Sequence, residues 1–284
     1  MNDAATQQAR SLRVEEFDCA RPDGSVMPIR VARPAGDGPF PAVIDAHGGG
    51  WFMGDRNTNA RIDDTLAANG IIAASPEFRM PPSGRYPVSI TDIHLAIRWL
   101  KANAQRLGSR PELVGALGTS SGGHQVLECV LRPGEPRYAA LALREAPNVD
   151  ARVAYAIACW SVADPLRRFA FAREVNNKGL LDAHAGYWPD EAAMAEGNPQ
   201  LVLARGLNGA LPPLLMLQGT NDDNLPADMA ENFAGAYRSA GGAVTLHVFP
   251  GMPHAFVLRQ PDAKESKQAL DLIVQFIKAQ TKRV

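Results

Sequence analysis

The chain has few cysteines, no long apolar run, no internal repeat and no surplus of either charge, and each shortage removes a class of protein. Cys19, Cys129 and Cys159 are its only thiols, far apart and without a C-x-x-C pair. An odd, scattered set in 284 residues reads as reduced thiols rather than a disulfide framework. A chain of this length buries enough surface to fold without covalent staples. No stretch approaches the ~18 uninterrupted apolar residues of a spanning helix, so no membrane span is expected. The opening MNDAATQQARSLRVEEFD lacks the apolar segment of a secretory leader, and a cytoplasmic protein is the expectation. Its first ten residues, small and polar, are expected to fray. Lys+Arg 29 against Asp+Glu 30 leaves a formal net charge of -1, which supplies none of the positive field that nucleic-acid binders set against phosphates. At 46% hydrophobic and 21% charged residues, the composition is globular and excludes a disordered, collagen-like or coiled-coil chain.

What is present is an alternation of short apolar runs with helix-period segments, the pattern of parallel β-α-β units. SLRVEEFDCA and SVMPIRVARP, joined by the turn-like Arg21-Pro22-Asp23-Gly24, predict an antiparallel hairpin at a sheet edge. PAVIDAHGGG, IIAASPEF, LVGALGT, VAYAIACW and PPLLMLQG are continuous apolar runs of the kind that strands covered on both faces require. Ile93, Ile97, Leu100 and Leu107 recur at helical spacing between Asp92 and Leu107, with Gly108 as the stop. A helix carrying Met229, Phe233 and Tyr237 ends near Gly241-Gly242, and the strand VTLHVFPG and a helix from about Lys264 to Lys278 close the chain. Residues 164–207 break the alternation. They hold Phe169, Phe171, Tyr187, Trp188 and Met194 among charged residues, and are expected to form a small lid inserted into a single domain.

Two glycine motifs carry chemistry. Gly118-Thr119-Ser120-Ser121-Gly122 follows the run LVGAL and precedes a helical segment, the strand-turn-helix setting in which G-x-S-x-G presents a nucleophile. The turn is so sharp that side chains at the flanking positions would strike neighbouring backbone, and the middle Ser120 is left projecting its hydroxyl. Shuffled chains give this pattern about once in ten, so it needs support. His47-Gly48-Gly49-Gly50-Trp51, directly after the buried run AVIDA, is far rarer by chance. Its consecutive glycines let backbone N–H groups approach a ligand, which acyl transfer needs where a carbonyl oxygen becomes negative. The N–H of Ser121 adds a further donor. His47 reads as a residue fixing the loop, and Trp51 as either a packing residue or the floor of an acyl pocket.

A serine hydroxyl needs a base, and the base needs a third group to orient it. Of six histidines, His94 falls within an amphipathic helix and His247 within a strand, so both read as structural. His124 stands just inside the helix after Ser120, where it packs or lines the pocket. His254, in the loop Phe249-Pro250-Gly251-Met252-Pro253-His254-Ala255-Phe256 leaving the last strand, is the candidate base. Gly219-Thr220-Asn221-Asp222-Asp223 follows the buried run PLLML, and either aspartate can serve as the acid. The order Ser…Asp…His is the one found on α/β-hydrolase sheets.

On these residues the chain, from about residue 35 to 280, resembles the hormone-sensitive-lipase-like branch of the α/β-hydrolase superfamily, the bacterial acetyl esterases and carboxylesterases. HGGGW is similar to that family's H-G-G-G-F/W, GTSSGG to its G-D-S-A-G-G, and His254-Ala255-Phe256 to its His-x-Phe ending. The resemblance implies a mostly parallel central sheet flanked by helices, with Ser120 as nucleophile, His254 as base and Gly49, Gly50 and Ser121 around the oxyanion. Its G-x-x-D loop with a proline four residues on, here Gly219, Asp222 and Pro226, prefers Asp222 over Asp223. The tract resembling D-Y-R-L-A-P-E reads Glu77-Phe78-Arg79-Met80-Pro81-Pro82, so its acidic-aromatic-Arg part is kept and its tail is not. The N-terminus is compact, closer to feruloyl-esterase-like and acetyl-xylan-esterase-like members.

The expectation is therefore a serine hydrolase without metal or cofactor, cleaving carboxylic esters of small to medium size through an acyl-enzyme. Lactone, carbamate, amide and thioester cleavage use the same three groups. A ligand-binding protein on this scaffold usually loses one of them, whereas all three are present here. Trp51, His124, Trp160, Tyr187 and Trp188 are the candidate substrate-binding residues. Arg167, Arg168 and Arg173 either attract a carboxylate or, the more ordinary outcome, form a solvated face. An edge strand or the last helix offers a surface for a homodimer.

Overall fold

A computed structural model describes residues 11–206 and 209–282. The fraying expected for the first ten residues lies outside the described residues, as does Leu207 at the end of the expected insertion. Eight strands form one sheet in the order β1-β2-β4-β3-β5-β6-β7-β8. The expected hairpin is β1 (Leu12–Ala20) and β2 (Val26–Pro34), antiparallel and in register from Leu12↔Pro34 to Ala20↔Val26. β2 also runs antiparallel to β4 (Ile72–Pro76). From there the sheet is parallel: β3 (Ala42–Ala46) lies between β4 and β5 (Val114–Thr119), followed by β6 (Ala156–Cys159), β7 (Leu214–Gly219) and β8 (Val244–Phe249). Every residue of β3 through β7 is buried, which is why these strands read as mostly apolar runs. β1 at one edge and β8 at the other keep exposed positions.

Helices α1 (Ala60–Ala68), α2 (Val88–Ala102) and α3 (Ser120–Leu131) make the crossovers of the first half, and α8 (Met229–Ser239) that between β7 and β8. All twelve residues of α3 are buried, so this helix packs without a solvent face. α2 departs from its expected span. It starts before Asp92 and stops at Ala102, where Asn103 folds its amide back to the Trp99 carbonyl (2.9 Å); Leu107 is buried from the turns that follow, up to Gly108 at φ 83°.

Between β6 and β7 stand four short helices, α4 (Pro165–Glu174), α5 (Lys178–Tyr187), α6 (Glu191–Glu196) and α7 (Pro199–Ala204). Each is opened by a side chain that accepts from the N–H three residues on: Asp164 from Arg167, Asn177 from Leu180, Asp190 from Ala193 and Asn198 from Leu201. Each such cap is worth about 1 kcal/mol. Asn198 also donates to Asp164 (2.8 Å), tying the last of these helices to the first. The short α9 (Phe256–Arg259) and the long α10 (Lys264–Thr281), three residues beyond its expected end, complete the chain.

Candidate active site

β5 ends at Thr119 and α3 begins at Ser120, so the chain reverses within one residue, and Ser120 takes φ 52°. Positive φ strains a residue with a side chain and persists only where its surroundings enforce it. Here the enforcement is close packing. A Cβ on Gly122 would stand 2.1 Å from the Ala46 carbonyl oxygen and 2.3 Å from that of His47, and one on Gly118 would stand 2.6 Å from the oxygen of Gly122. The elbow is thus seated directly against the end of β3 and the glycine loop that leaves it.

Ser120 Oγ lies 2.8 Å from His254 Nε2, and His254 Nδ1 lies 2.8 Å from Asp222 Oδ2. The loop after β7 brings the carboxylate and the loop after β8 the imidazole. Asp222 is the partner, while Asp223 is exposed and faces Arg259 at 3.9 Å. The Asp222 carboxylate is fully engaged. Oδ2 also accepts from Gln218 Nε2 (2.8 Å), and Oδ1 accepts from the backbone N–H of Asn224 (2.8 Å) and of Leu225 (3.0 Å). Burial alone would raise this carboxyl, but the bond and charge of His254, with the Asn224 and Gln218 donors, outweigh it and hold its pKa below the usual value. Gln218 was not anticipated from sequence. As the penultimate residue of a strand otherwise apolar, LLMLQG, it was the visible signal.

Gly49 (φ 117°) and Gly50 (φ 64°) line the same cavity as Ser120, and their N–H groups find no acceptor among the described residues. The Ser121 N–H, in the first turn of α3, has no helical acceptor either. The glycine loop is braced from behind: His47 bonds the Gly48 carbonyl through Nδ1 (2.6 Å) and stacks on Phe78 at 4.4 Å, as a fixing residue should. Of the other histidines, His94 reaches the Pro133 carbonyl (2.9 Å) within α2, a structural role as expected.

The cavity measures about 460 Å³ and is lined by Phe52, Met53, Leu258 and Trp160 together with Arg168 of α4 and Asn177, Gly179, Leu180 and Ala183 of α5 and its cap. Of the five residues expected to bind substrate, Trp160 alone is among its lining. Trp51, His124, Tyr187 and Trp188 instead pack on one another as an aromatic cluster. Trp51 stacks flat on Tyr187 (5.0 Å, 3°), donates Nε1–H to His124 Nδ1 (3.2 Å) and meets Trp188 edge-on at 5.8 Å. Their large apolar area is satisfied by one another, joining the insertion to the glycine loop. Phe52 and Met53, 45% and 56% exposed, hold the place expected for Trp51. Among the described residues no cluster of side chains fits a metal ion.

Strain concentrates here. Among the described residues five non-glycines have positive φ, and Ser120, Trp160 and Ala255 of these line the cavity, with Trp51 and Asn176 beside lining residues. A strained serine at a strand-helix elbow, with base and acid on later strand ends of a mostly parallel sheet, defines the α/β-hydrolase class. A profile described as alpha/beta hydrolase fold matches residues 43–258. The chain belongs to that family. It is similar to "Esterase LipC" of Mycobacterium tuberculosis, 27% identical over 227 residues that cover 78% of this chain and 54% of LipC. It is also similar to "Isoprenylcysteine alpha-carbonyl methylesterase ICME" of Arabidopsis thaliana, 24% identical over 250 residues (86% of this chain, 57% of that protein). The chain spans only a little more than half the length of these relatives. An esterase structure from Pyrobaculum calidifontis shares the fold, with a TM-score of 0.77 at 21% identity over 94% of this chain and 85% of that one.

Proposed function

We propose that this chain is a carboxylic ester hydrolase that works through an acyl-enzyme on Ser120. The observation that carries the reading is the continuous line from Ser120 Oγ through His254 to Asp222, each link 2.8 Å. His254 Nε2 takes the Ser120 proton as Oγ attacks the ester carbonyl. The oxygen that becomes negative is met by the N–H groups of Gly49, Gly50 and Ser121, preset donors that need no reorganisation as charge develops. Asp222 holds the Nδ1 proton of His254 in place and steadies the imidazolium. His254 then returns its proton to the departing alkoxide, and the acyl carbon–oxygen bond breaks. Water, deprotonated by the same imidazole, attacks the acyl-enzyme, and the carboxylic acid leaves with Ser120 restored.

Arg168 of α4 and Asn177, Gly179, Leu180 and Ala183 of α5 and its cap line the cavity, and the segment α4–α7 is read as the lid that shapes it. Esters of small to medium size fit the roughly 460 Å³ available. No helix among the described residues is long and apolar enough to cross a membrane. The three thiols are buried and unpaired, which supports a reducing, cytoplasmic setting. A fluorophosphonate should label Ser120 stoichiometrically, and Ser120→Ala should lower ester kcat by roughly a millionfold. Ester turnover unchanged in that variant would remove the proposal.

A further inference from the structure

Arg168 is a cation 1% exposed, and among the described residues no carboxylate bonds to it; the charge of Asp222 acts on it only from a distance. Its Nε and Nη2 donate to the Asn224 side-chain oxygen (3.1 and 2.6 Å), Nε also reaches the Asn224 carbonyl (3.3 Å), and Nη1 meets His184 Nε2 (3.3 Å). Its guanidinium carbon lies 5.2 Å from the Trp51 ring centre. All of these partners are neutral. His184 is kept so by burial, with the charge of Arg168 adding to it, which together pull its pKa down to about 2. One hydrogen on each Nη is left without a partner among the described residues.

Buried charges are normally paired, because an uncompensated ion in a low-dielectric site is costly. Of the four buried arginines among the described residues, Arg21 meets the carboxylate of Asp92, Arg30 those of Asp63 and Asp64, and Arg98 turns Nη2 to the Leu141 carbonyl. Arg168 alone of the four lines the cavity that holds Ser120. Burial lowers its pKa to about 10 against the raising charge of Asp222, so it stays cationic at neutral pH. The first turn of α5 also faces the cavity through Asn177, Gly179 and Leu180, adding the positive end of a ten-residue helix. Of the two arginines in the cavity lining, Arg259 faces the carboxylate of Asp223 (3.9 Å), whereas Arg168 has no carboxylate bonded to it among the described residues.

The geometry points to Arg168 as the seat of a substrate carboxylate, and hence to esters bearing one negative charge as the substrate class, a reading that rests on the hydrolase assignment above. Such esters are half-esters of dicarboxylic acids, with the charge on the acyl side, or acyl derivatives of hydroxy acids, with it on the alcohol side. The guanidinium fork matches a carboxylate in two parallel bonds, and the neutral partners of Arg168 hold that fork without consuming its charge. Arg168 also clamps Asn224, whose N–H supports Asp222. A purely structural clamp would weaken all substrates alike, and this separates the two roles.

The test compares monoethyl with diethyl esters of C4–C8 dicarboxylic acids, and acetylated hydroxy acids with their ethyl esters, following released ethanol or acetate. The unmodified protein should favour the anionic member of at least one pair by about 10- to 100-fold in kcat/KM, chiefly through KM, as charge-assisted hydrogen bonds imply. In Arg168→Met the ratio should collapse toward one, and in Arg168→Lys, which keeps the charge without the fork, part of it should return. Equal or better turnover of the neutral esters by the unmodified protein overturns the proposal even if Arg168→Met does not fold. So does an anionic preference that survives in a folded Arg168→Met. Turnover of neutral esters with no anionic preference leaves the hydrolase reading standing and sinks this one alone, whereas no turnover of any ester sinks both.

Discussion

Replacing Asp222 by Asn changes one atom, and the surrounding bonds dictate how the amide must sit. Oδ1 accepts from two fixed backbone donors, the N–H groups of Asn224 and Leu225 at 2.8 and 3.0 Å, so the amide oxygen stays there. Its NH₂ then occupies the place of Oδ2, where His254 Nδ1 (2.8 Å) and Gln218 Nε2 (2.8 Å) converge. The Gln218 amide cannot turn to accept without facing the Gly219 carbonyl, to which it also donates at 3.0 Å, with its own oxygen. His254 relieves the conflict by accepting at Nδ1, which puts its single proton on Nε2 and aims it at Ser120 Oγ. The imidazole in that tautomer is a donor where a base is required. A tautomer inversion of this kind lowers kcat by about 10⁴-fold, roughly 5 kcal/mol of transition-state stabilisation. Steady-state kinetics on an activated ester, with thermal melts to show that the variant is folded, measure it. A folded Asp222→Asn retaining activity within tenfold of the unmodified protein would show that Asp222 does not set the tautomer of His254.

Three further outcomes follow from the packing and the charges. Gly122→Ala should cost about 3 kcal/mol and most of the activity, because its Cβ meets two backbone oxygens 2.1 and 2.3 Å away. Gly235→Ala, in α8 with nothing within 4 Å, should stabilise by up to about 1 kcal/mol; urea unfolding of both variants reads the contrast, and equal effects would defeat it. For Glu196, burial would raise the carboxyl, but bonds from Arg137, Tyr86 and Arg132 draw its pKa down to about 2. A folded-state value below the usual 4.5 means that this stabilisation is complete above about pH 4.5 and is lost as pH falls from there towards 2. With the side chain 31% exposed, screening leaves about 1–2 kcal/mol, and Glu196→Gln should flatten the acid limb of stability against pH by that amount; parallel limbs would contradict it.

The glycines that press on backbone and the three residues in the order Ser…Asp…His were legible in the sequence, and the partners of the aromatic and arginine side chains were not. Gly49, Gly118 and Gly122 announce themselves because a Cβ there would stand within 3 Å of a carbonyl oxygen, and the five buried strands do so because burial on both faces leaves few polar positions. Aromatic content misled for a physical reason. Trp51, Tyr187 and Trp188 gain as much from stacking on one another as from facing a ligand, and composition does not distinguish the two. In the sequence Arg168 reads with Arg167 and Arg173 as one charged run, yet a signal separates it. Pro165, Arg168 and Ala172 fall at helical spacing on the buried face of α4, whereas Arg167 and Arg173 are 39% and 61% exposed.

The tract Glu77-Phe78-Arg79 shows how a motif survives when its tail does not. Glu77 accepts from Arg56 Nη1 (3.0 Å) and from its backbone N–H (3.2 Å), a few residues past the glycine loop, and Phe78 stacks on His47 at the start of that loop. Arg79 makes three bonds to Asp92, one from its backbone N–H (2.8 Å) and two from its guanidinium (2.9 and 2.8 Å), and Arg21 also grips this carboxylate from the hairpin turn (2.9 and 3.0 Å). Each of the three thus fixes something other than itself: the far side of the glycine loop, its near side, and the first turns of α2. On the proposed mechanism the N–H groups of this loop face a developing charge and cannot be steadied by bonds of their own, so its rigidity has to come from such flanking contacts. Met80, Pro81 and Pro82, where the resemblance lapses, lie past the last of these contacts, so the change in the tail leaves the support of the glycine loop intact.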